Sequence, residues 1–340
     1  MSIAQQCFDG NSSELTKRQS SSTPASAADQ LLRVMFEGVS ARAHLVRIDQ
    51  SWLEVAHRHD EAPEVIGLLG EMSCASILLS ASLKYQGSVI LQIHGDGPVR
   101  LAVAECNASL DFRSTIKMSE TLTAKPGAGW KELVNQNNLG RFSVVLDPQV
   151  SAQSPYQGIV PLHEEGVAQA LESYMTRSEQ LPTRLWLACN GDRAAGLLLQ
   201  RMPTEGGISL SDTDVAQGKT SPADSDEAWH ELVTLADTLT REELLGTDPQ
   251  TLLHQLFWEK RPRLLEQKPV QFHCPCSREK VGKMLRTLGH SEVDSILSEQ
   301  GQVEVNCDFC NTNYAFDAVD CAALFTDAPP SGSMGPQTLQ

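Results

Sequence analysis

The sequence predicts an α+β protein in three parts: an N-terminal α/β sandwich domain, a helical linker and a small C-terminal domain built around cysteine pairs. Three observations predict it. Residues 29–202 mix long helical stretches with alternating, strand-like segments. Residues 204–226 break that pattern with Gly206-Gly207, Ser221-Pro222 and clustered aspartates. Beyond them, four cysteines stand in two tight pairs, Cys274-Pro275-Cys276 and Cys307-Asp308-Phe309-Cys310.

Taken in order, residues 1–27 are small and polar, with Ser20-Ser21-Ser22-Thr23-Pro24, and bury too little surface to order themselves. They are expected to be a disordered tail, and Asp9 and Glu14 argue against a targeting peptide. The sandwich domain is placed at 28–203. Within it, residues 64–83 form a helix whose apolar face carries Val65, Leu68, Leu69, Met72, Ile77 and Leu79. Val89, Leu91 and Ile93 alternate up to a turn at Gly95-Asp96-Gly97-Pro98, and Val99, Leu101 and Val103 resume the alternation, which is a hairpin signal. Strands follow at 112–118, 141–146 and 158–162, then a helix at 166–175 and strands at 184–189 and 196–202. Helices grouped between antiparallel strands make a sandwich rather than a doubly wound sheet.

The linker is placed at 204–269. Trp229, Leu232, Leu235 and Leu239 fall at helical spacing, and Asp248 caps a second helix that begins at Pro249 and carries Leu252, Leu253, Leu256 and Phe257. Two short helices with apolar faces but little bulk must pack on something else, and form a low-stability unit if that contact weakens. The C-terminal domain spans 270–321. Ser277 caps a helix with Val281, Met284, Leu285 and Leu288, and Val293, Ile296 and Leu297 mark a second. Val303 and Val305 lead as a strand into the second cysteine pair, and Tyr314 and Phe316 lead out of it. Residues 322–340 are expected to be an unstructured tail rich in Pro, Gly and Ser.

Composition narrows the function. The chain has 340 residues and a net charge of −16, a field that repels phosphate backbones, so no nucleic-acid partner is expected. No continuous apolar run approaches the roughly 18 residues of a membrane helix, so no membrane partner is expected. The start lacks a basic cluster followed by an apolar core, so no secretory signal is expected. Nine cysteines without such a signal point to a reducing compartment, the cytoplasm, where close pairs are metal or redox sites. No G-x-S-x-G, P-loop, H-E-x-x-H or strand-linked G-x-G-x-x-G occurs, and His57 and His59 sit in a polar stretch as surface residues; no enzyme is expected.

Cys274, Cys276, Cys307 and Cys310 can close one tetrahedral zinc site with Zn–S bonds of roughly 2.3 Å, and four protein ligands leave no open position for catalysis. The same sulfurs, once oxidised, can form two local disulfides and release the metal. A bond between residues at i and i+2 is strained and readily reduced, which suits a reversible role. Four thiolates on Zn²⁺ carry a formal charge of −2. Arg278, Lys280, Lys283 and Arg286 either offset it or form a solvated basic face. His273 is a weaker candidate ligand than the four cysteines. Cys74, Cys106 and Cys189 read as small buried hydrophobes. Cys7 lies in the tail, and Cys321 is at most a neighbour of the ligands. Three readings stand: a redox-switched binding protein, a zinc-stabilised transcription or translation accessory factor, and a thiol oxidoreductase using Cys307 and Cys310.

The C-x-C pair, the helical insert, Val293-Asp294-Ser295-Ile296-Leu297, the C-x-x-C pair and Tyr314-x-Phe316 together resemble the redox-regulated chaperone family named for the thirty-three-kilodalton heat-shock protein. Gly95-Asp96-Gly97-Pro98, Tyr156-Gln157-Gly158 and the stretch Tyr174-Met175-x-Arg177-Ser178-Glu179-Gln180-Leu181-Pro182-Thr183 are similar to recurring segments of that family. The resemblance implies a cytosolic, ATP-independent holdase. It implies one zinc held by Cys274, Cys276, Cys307 and Cys310 in an inactive reduced form. It also implies disulfides Cys274–Cys276 and Cys307–Cys310 after oxidation, loss of zinc, and unfolding of the cysteine domain and linker. Unfolding client proteins are the implied partners, bound as a homodimer when oxidised. The N-terminal extension, Cys7 and Cys321 depart from the family pattern.

Overall fold

The computed structural model describes residues 29–326 apart from 38, 84, 149–153, 161, 163–164 and 203–221. The expected tail at 1–27, Cys7, the linker stretch 204–221 and residues 327–340 lie outside the described residues. Two antiparallel strands open the chain, β1 (Gln30–Phe36) and β2 (Ala41–Ile48), followed by helices α1 (Gln50–Ala56) and α2 (Pro63–Ser82). Three strands come next: β3 (Gly87–His94), β4 (Val99–Asn107) and β5 (Asp111–Met118). After α3 (Trp130–Val134) come β6 (Arg141–Pro148), β7 (Tyr156–Val160), α4 (Val167–Arg177), β8 (Thr183–Cys189) and β9 (Ala194–Arg201).

One sheet has the order β10-β1-β2-β9-β8, where β10 is Pro262–Pro269; the other runs β11-β5-β4-β3-β6-β7, where β11 is Gln271–Phe272. Helix α2 lies between them, touching β2, β8 and β9 of the first sheet and β3, β4 and β5 of the second. This explains its composition. Its mean hydropathy of 1.6 is enough, by length and composition, to cross a membrane, although serines and Glu71 interrupt any continuous apolar run. Here the apolar surface is spent on two sheets, and Val65, Leu69, Met72, Cys74, Ile77 and Leu78 are all fully buried. Gly70 lets α2 approach β8 closely, because a Cβ there would collide with the Cys189 side chain.

The expected helix, hairpin and strands of the body all form, with ends shifted by a few residues. The pair β1–β2 and helix α1 were not foreseen. Asp29 starts them: its carboxylate accepts hydrogen bonds from the Ser51 backbone N–H and hydroxyl, both at 2.7 Å, and so caps α1. Its carbonyl accepts from Val270 N–H at 3.0 Å, tying the start of the body to the junction of β10 and β11.

The outer face of the first sheet carries Leu32, Val34, Phe36, Ala41, Ala43, Leu45, Ala188, Ala195, Leu197 and Leu199, all of them buried. Three helices cover it: α5 (Pro222–Ala236), α6 (Arg241–Gly246) and α7 (Pro249–Phe257). Trp229, Leu232, Ala236, Leu244, Leu245, Leu252, Leu253 and Phe257 fill the gap, and the Phe257 ring meets Phe36 edge-on at 5.1 Å. The sequence reading gave two helices and missed α6. Its signal is the capping box of Thr240 and Glu243, which breaks the expected run through Leu239. Polar ties hold α6 from beneath: Arg241 bonds the Cys189 carbonyl, Arg193 reaches the Leu245 carbonyl at 2.8 Å, and Arg47 the Thr247 carbonyl at 3.3 Å.

Residues 262–269, assigned to the linker by sequence, form β10 instead and pair with β1 along its length. Alternation was hidden there by charged side chains, which suit an exposed edge strand. Phe257→Ala should cost roughly 3–5 kcal/mol of packing. Hydrogen exchange is expected to rise across 241–257 while 63–82 stays protected; unchanged exchange in 241–257 would refute the packing assigned to this ring.

Candidate metal centre

The C-terminal domain is built from α8 (Arg278–Leu288), α9 (His290–Gln300), a hairpin of β12 (Val303–Asn306) and β13 (Asn313–Phe316), and α10 (Ala318–Thr326). Ser277 caps α8, accepting from Lys280 N–H at 3.2 Å. Leu285, Val293, Val303, Phe316 and Cys321 make a small apolar core, with Val281, Ile296, Leu324 and Phe325 against it. The expected tail therefore begins late: α10 runs past residue 321 because Leu324 and Phe325 complete this core.

Cys307 directly follows β12 and Cys310 precedes β13, so the second pair is the tip of the hairpin. Cys307 N–H donates to the Thr312 carbonyl at 3.0 Å, and Asn311 N–H to the Cys307 carbonyl at 2.8 Å. Asn311 closes the turn in the left-handed region, φ 56°, which asparagine tolerates better than most residues. The first pair leaves β11 in an extended loop.

The four sulfurs of Cys274, Cys276, Cys307 and Cys310 lie within 4.8 Å of one another. The Cys274 and Cys307 sulfurs are 3.6 Å apart, and those of Cys276 and Cys310 3.3 Å. A tetrahedral zinc with Zn–S bonds of roughly 2.3 Å needs sulfurs about 3.8 Å apart. The four are free thiols, half-exposed, and their donor chemistry and spacing fit such an ion. Among the described residues no other group of His, Cys, Asp and Glu meets the same test.

Hydrogen bonds surround the sulfurs. Tyr314 donates its hydroxyl to Cys276 at 3.1 Å, and Thr312 Oγ1 lies 3.2 Å from the Cys310 sulfur. Burial, with the neighbouring thiols, pushes Cys274 up to about 12. Burial also opposes ionisation of Cys310, but the Thr312 hydroxyl and N–H and the adjacent sulfurs outweigh it and hold that thiol at about 6.

The basic residues nominated by sequence have other partners. Arg278 reaches the Ala315 carbonyl and Asp320, both at 2.6 Å, and covers the Phe316 ring; Lys283 pairs with Glu279 at 2.7 Å. Of the four nominated residues, Lys280 touches a cysteine loop, bonding the Pro275 carbonyl at 2.7 Å. His273 is exposed, and its N–H donates to the Phe112 carbonyl at 2.9 Å. Cys321 is buried in the domain's apolar core, and Cys74, Cys106 and Cys189 are buried in the body with thiols raised by desolvation.

Sequence reasoning missed Tyr314 and Thr312 as sulfur partners. Their signal was their place beside the pair in the hairpin. It also missed a cation from the body: Arg113 of β5 lies over the ring of Phe309, between Cys307 and Cys310, 4.2 Å from its centroid. No local pattern links residues so far apart in sequence.

With this geometry in view, likeness to known proteins becomes informative. A family model described as Hsp33 protein matches residues 29–317. The 33 kDa chaperonin of Methylobacillus flagellatus is 43% identical over 300 residues, 88% of this chain and 95% of that protein. The 33 kDa chaperonin of Pseudomonas aeruginosa strain PAO1 is 41% identical over 313 residues, 92% of this chain and 98% of its own. A crystal structure of the 33 kDa chaperonin (heat shock protein 33 homolog) from Thermotoga maritima shares the fold, with a TM-score of 0.70 at 22% identity, covering 87% of this chain and 97% of that one.

If the four sulfurs act as one metal site, Cys307→Ser should lower zinc affinity by at least tenfold. It should also speed hydrogen exchange through 274–316. Wild-type affinity, read by competition with a chromophoric chelator, would contradict this.

Proposed function

Since the chain belongs to the Hsp33 protein family, whose members are chaperones and not enzymes, we propose that it is a redox-regulated, ATP-independent holdase of the cytoplasm. It binds thermally unfolding and oxidatively damaged proteins and prevents their irreversible aggregation. The observation that carries this reading is the pairing of a four-thiol cluster with an apolar sheet face covered by marginal helices.

In the reduced chain, Cys274, Cys276, Cys307 and Cys310 are the zinc ligands. Bound zinc supplies one cross-link that holds both cysteine pairs as thiolates and closes a domain too small to stand on its own core. Disulfides Cys274–Cys276 and Cys307–Cys310 remove all four donors. Each forms as its two thiolates give up two electrons to peroxide or hypochlorite, which takes two protons from solvent and leaves as water, or as chloride and water. The remaining cohesion is five buried side chains, and the domain opens.

The consequence passes along the chain. β10 and β11 run directly from the linker helices into the first cysteine pair. Once the domain is loose, α5, α6 and α7 depend on their own packing. Short helices of this length do not persist unpacked. Their departure bares the outer face of β1, β2, β8 and β9, an apolar surface that suits unfolding chains, and the oxidised form acts as a homodimer.

In the reduced cluster the shortest sulfur contacts join different pairs, Cys274 with Cys307 and Cys276 with Cys310. Local pairing after oxidation therefore requires the sulfurs to shift from these cross-pair contacts as the bonds form. The test is zinc content, free thiols and a disulfide map before and after peroxide at mild heat, beside suppression of client aggregation. Loss of one zinc and four thiols, with bonds 274–276 and 307–310 and activity appearing together, is the expected result. Retained zinc with no activity would overturn the switch and favour a zinc-stabilised accessory factor.

A further inference from the structure

Strand β5 of the body holds both halves of the cysteine cluster. The first half is held by backbone: β11 pairs in parallel with it, Gln271 against Asp111 and Phe272 against Phe112, and His273 N–H donates to the Phe112 carbonyl. The second half is held by side chains at alternate positions, which share one face of a strand. Arg113 lies over the Phe309 ring, 4.2 Å from its centroid. Thr115 donates its hydroxyl to the Asp308 carbonyl at 2.8 Å, and Lys117 pairs with the Asp308 carboxylate at 2.7 Å. Asp308 and Phe309 are the two residues between Cys307 and Cys310, so the ladder grips the tip of the second pair.

Arg113 lies over Phe309 while Glu105 anchors its guanidinium at 2.6 Å. The two arms of the cluster are thus tied to one strand, the first by the backbone of β11 and the second by this side chain.

We infer that the outer face of β5 is the docking surface for the cysteine domain, and that Arg113 is a positioning residue that sets how tightly the four thiolates hold a metal. The inference rests on the zinc-switch reading. Stacking of the Arg113 guanidinium on Phe309 fixes the second pair relative to the first, so the body shares the cost of assembling the site. The docking also makes the metal's hold on the domain depend on an intact second sheet.

The test uses the reduced full-length chain with Zn²⁺ alone, titrated against a chromophoric chelator, and hydrogen exchange of residues 307–312. Arg113→Ala should raise the zinc dissociation constant by about 10–100-fold, the range for groups that orient metal ligands. Protection at 307–312 should fall while the pairing of β3 with β4 stays protected. Arg113→Lys keeps the charge, loses the planar stack and should recover part of the affinity. Lys117→Ala, an exposed position that cannot disturb the core, should raise the constant several-fold. Lys283→Ala, whose partner is Glu279, should leave it unchanged. Wild-type affinity in both Arg113→Ala and Lys117→Ala, or an equal loss in Lys283→Ala, would overturn the inference and leave the zinc switch standing. A wild-type chain that binds no zinc would overturn both.

Discussion

The five-stranded sheet carries a large apolar patch on each face, and the rest of the molecule follows from the need to cover them. Its inner face is satisfied permanently. Helix α2 lies on it and presents its far side to the second sheet, so inner strands, helix and second sheet share one core. Its outer face is satisfied conditionally, by three short helices and a few arginine-to-carbonyl bonds. Short helices with no core of their own form a layer that a change elsewhere can shift.

That change has one physical source in this chain. The cysteine domain has five fully buried side chains in its core and a cluster of sulfurs at its hinge. Its fold is therefore tied to the chemical state of four thiols, and it is joined through β11 to β10, the edge strand of the linker-covered sheet. Docking on β5 adds a second tie. The domain is held to the body at two places: by β11 and by the hairpin tip through Arg113, Thr115 and Lys117. Local redox chemistry thereby acts on a surface formed by other parts of the chain.

Much of this was legible in the sequence, and what was not has physical reasons. The four sulfurs were legible because C-x-C and C-x-x-C are local, and the structure brings Cys274, Cys276, Cys307 and Cys310 together as the spacing implied. Helix α2 and the β3–β4 hairpin were legible because periodicity is local too. Strand β10 was not, since Arg263, Glu266 and Lys268 mask the alternation of an edge strand. Helix α6 was overlooked although Thr240 and Glu243 signalled its start. The partners of the sulfurs were the hardest to foresee. Arg278 and Lys283, near Cys276 in sequence, turn toward Asp320 and Glu279. Arg113, far away in sequence, reaches Phe309 because β5 and the cysteine hairpin are neighbours only in the folded chain.

The central claim is that oxidation of the cysteine domain uncovers the first sheet. The most direct measurement is hydrogen exchange of the full chain before and after peroxide at mild heat, resolved to segments. The account requires residues 222–257 and 274–316 to lose protection together, residues 31–36 and 195–199 to gain exposure, and 63–82 to stay protected. Full protection of 222–257 in a chain whose four thiols have been oxidised would contradict it.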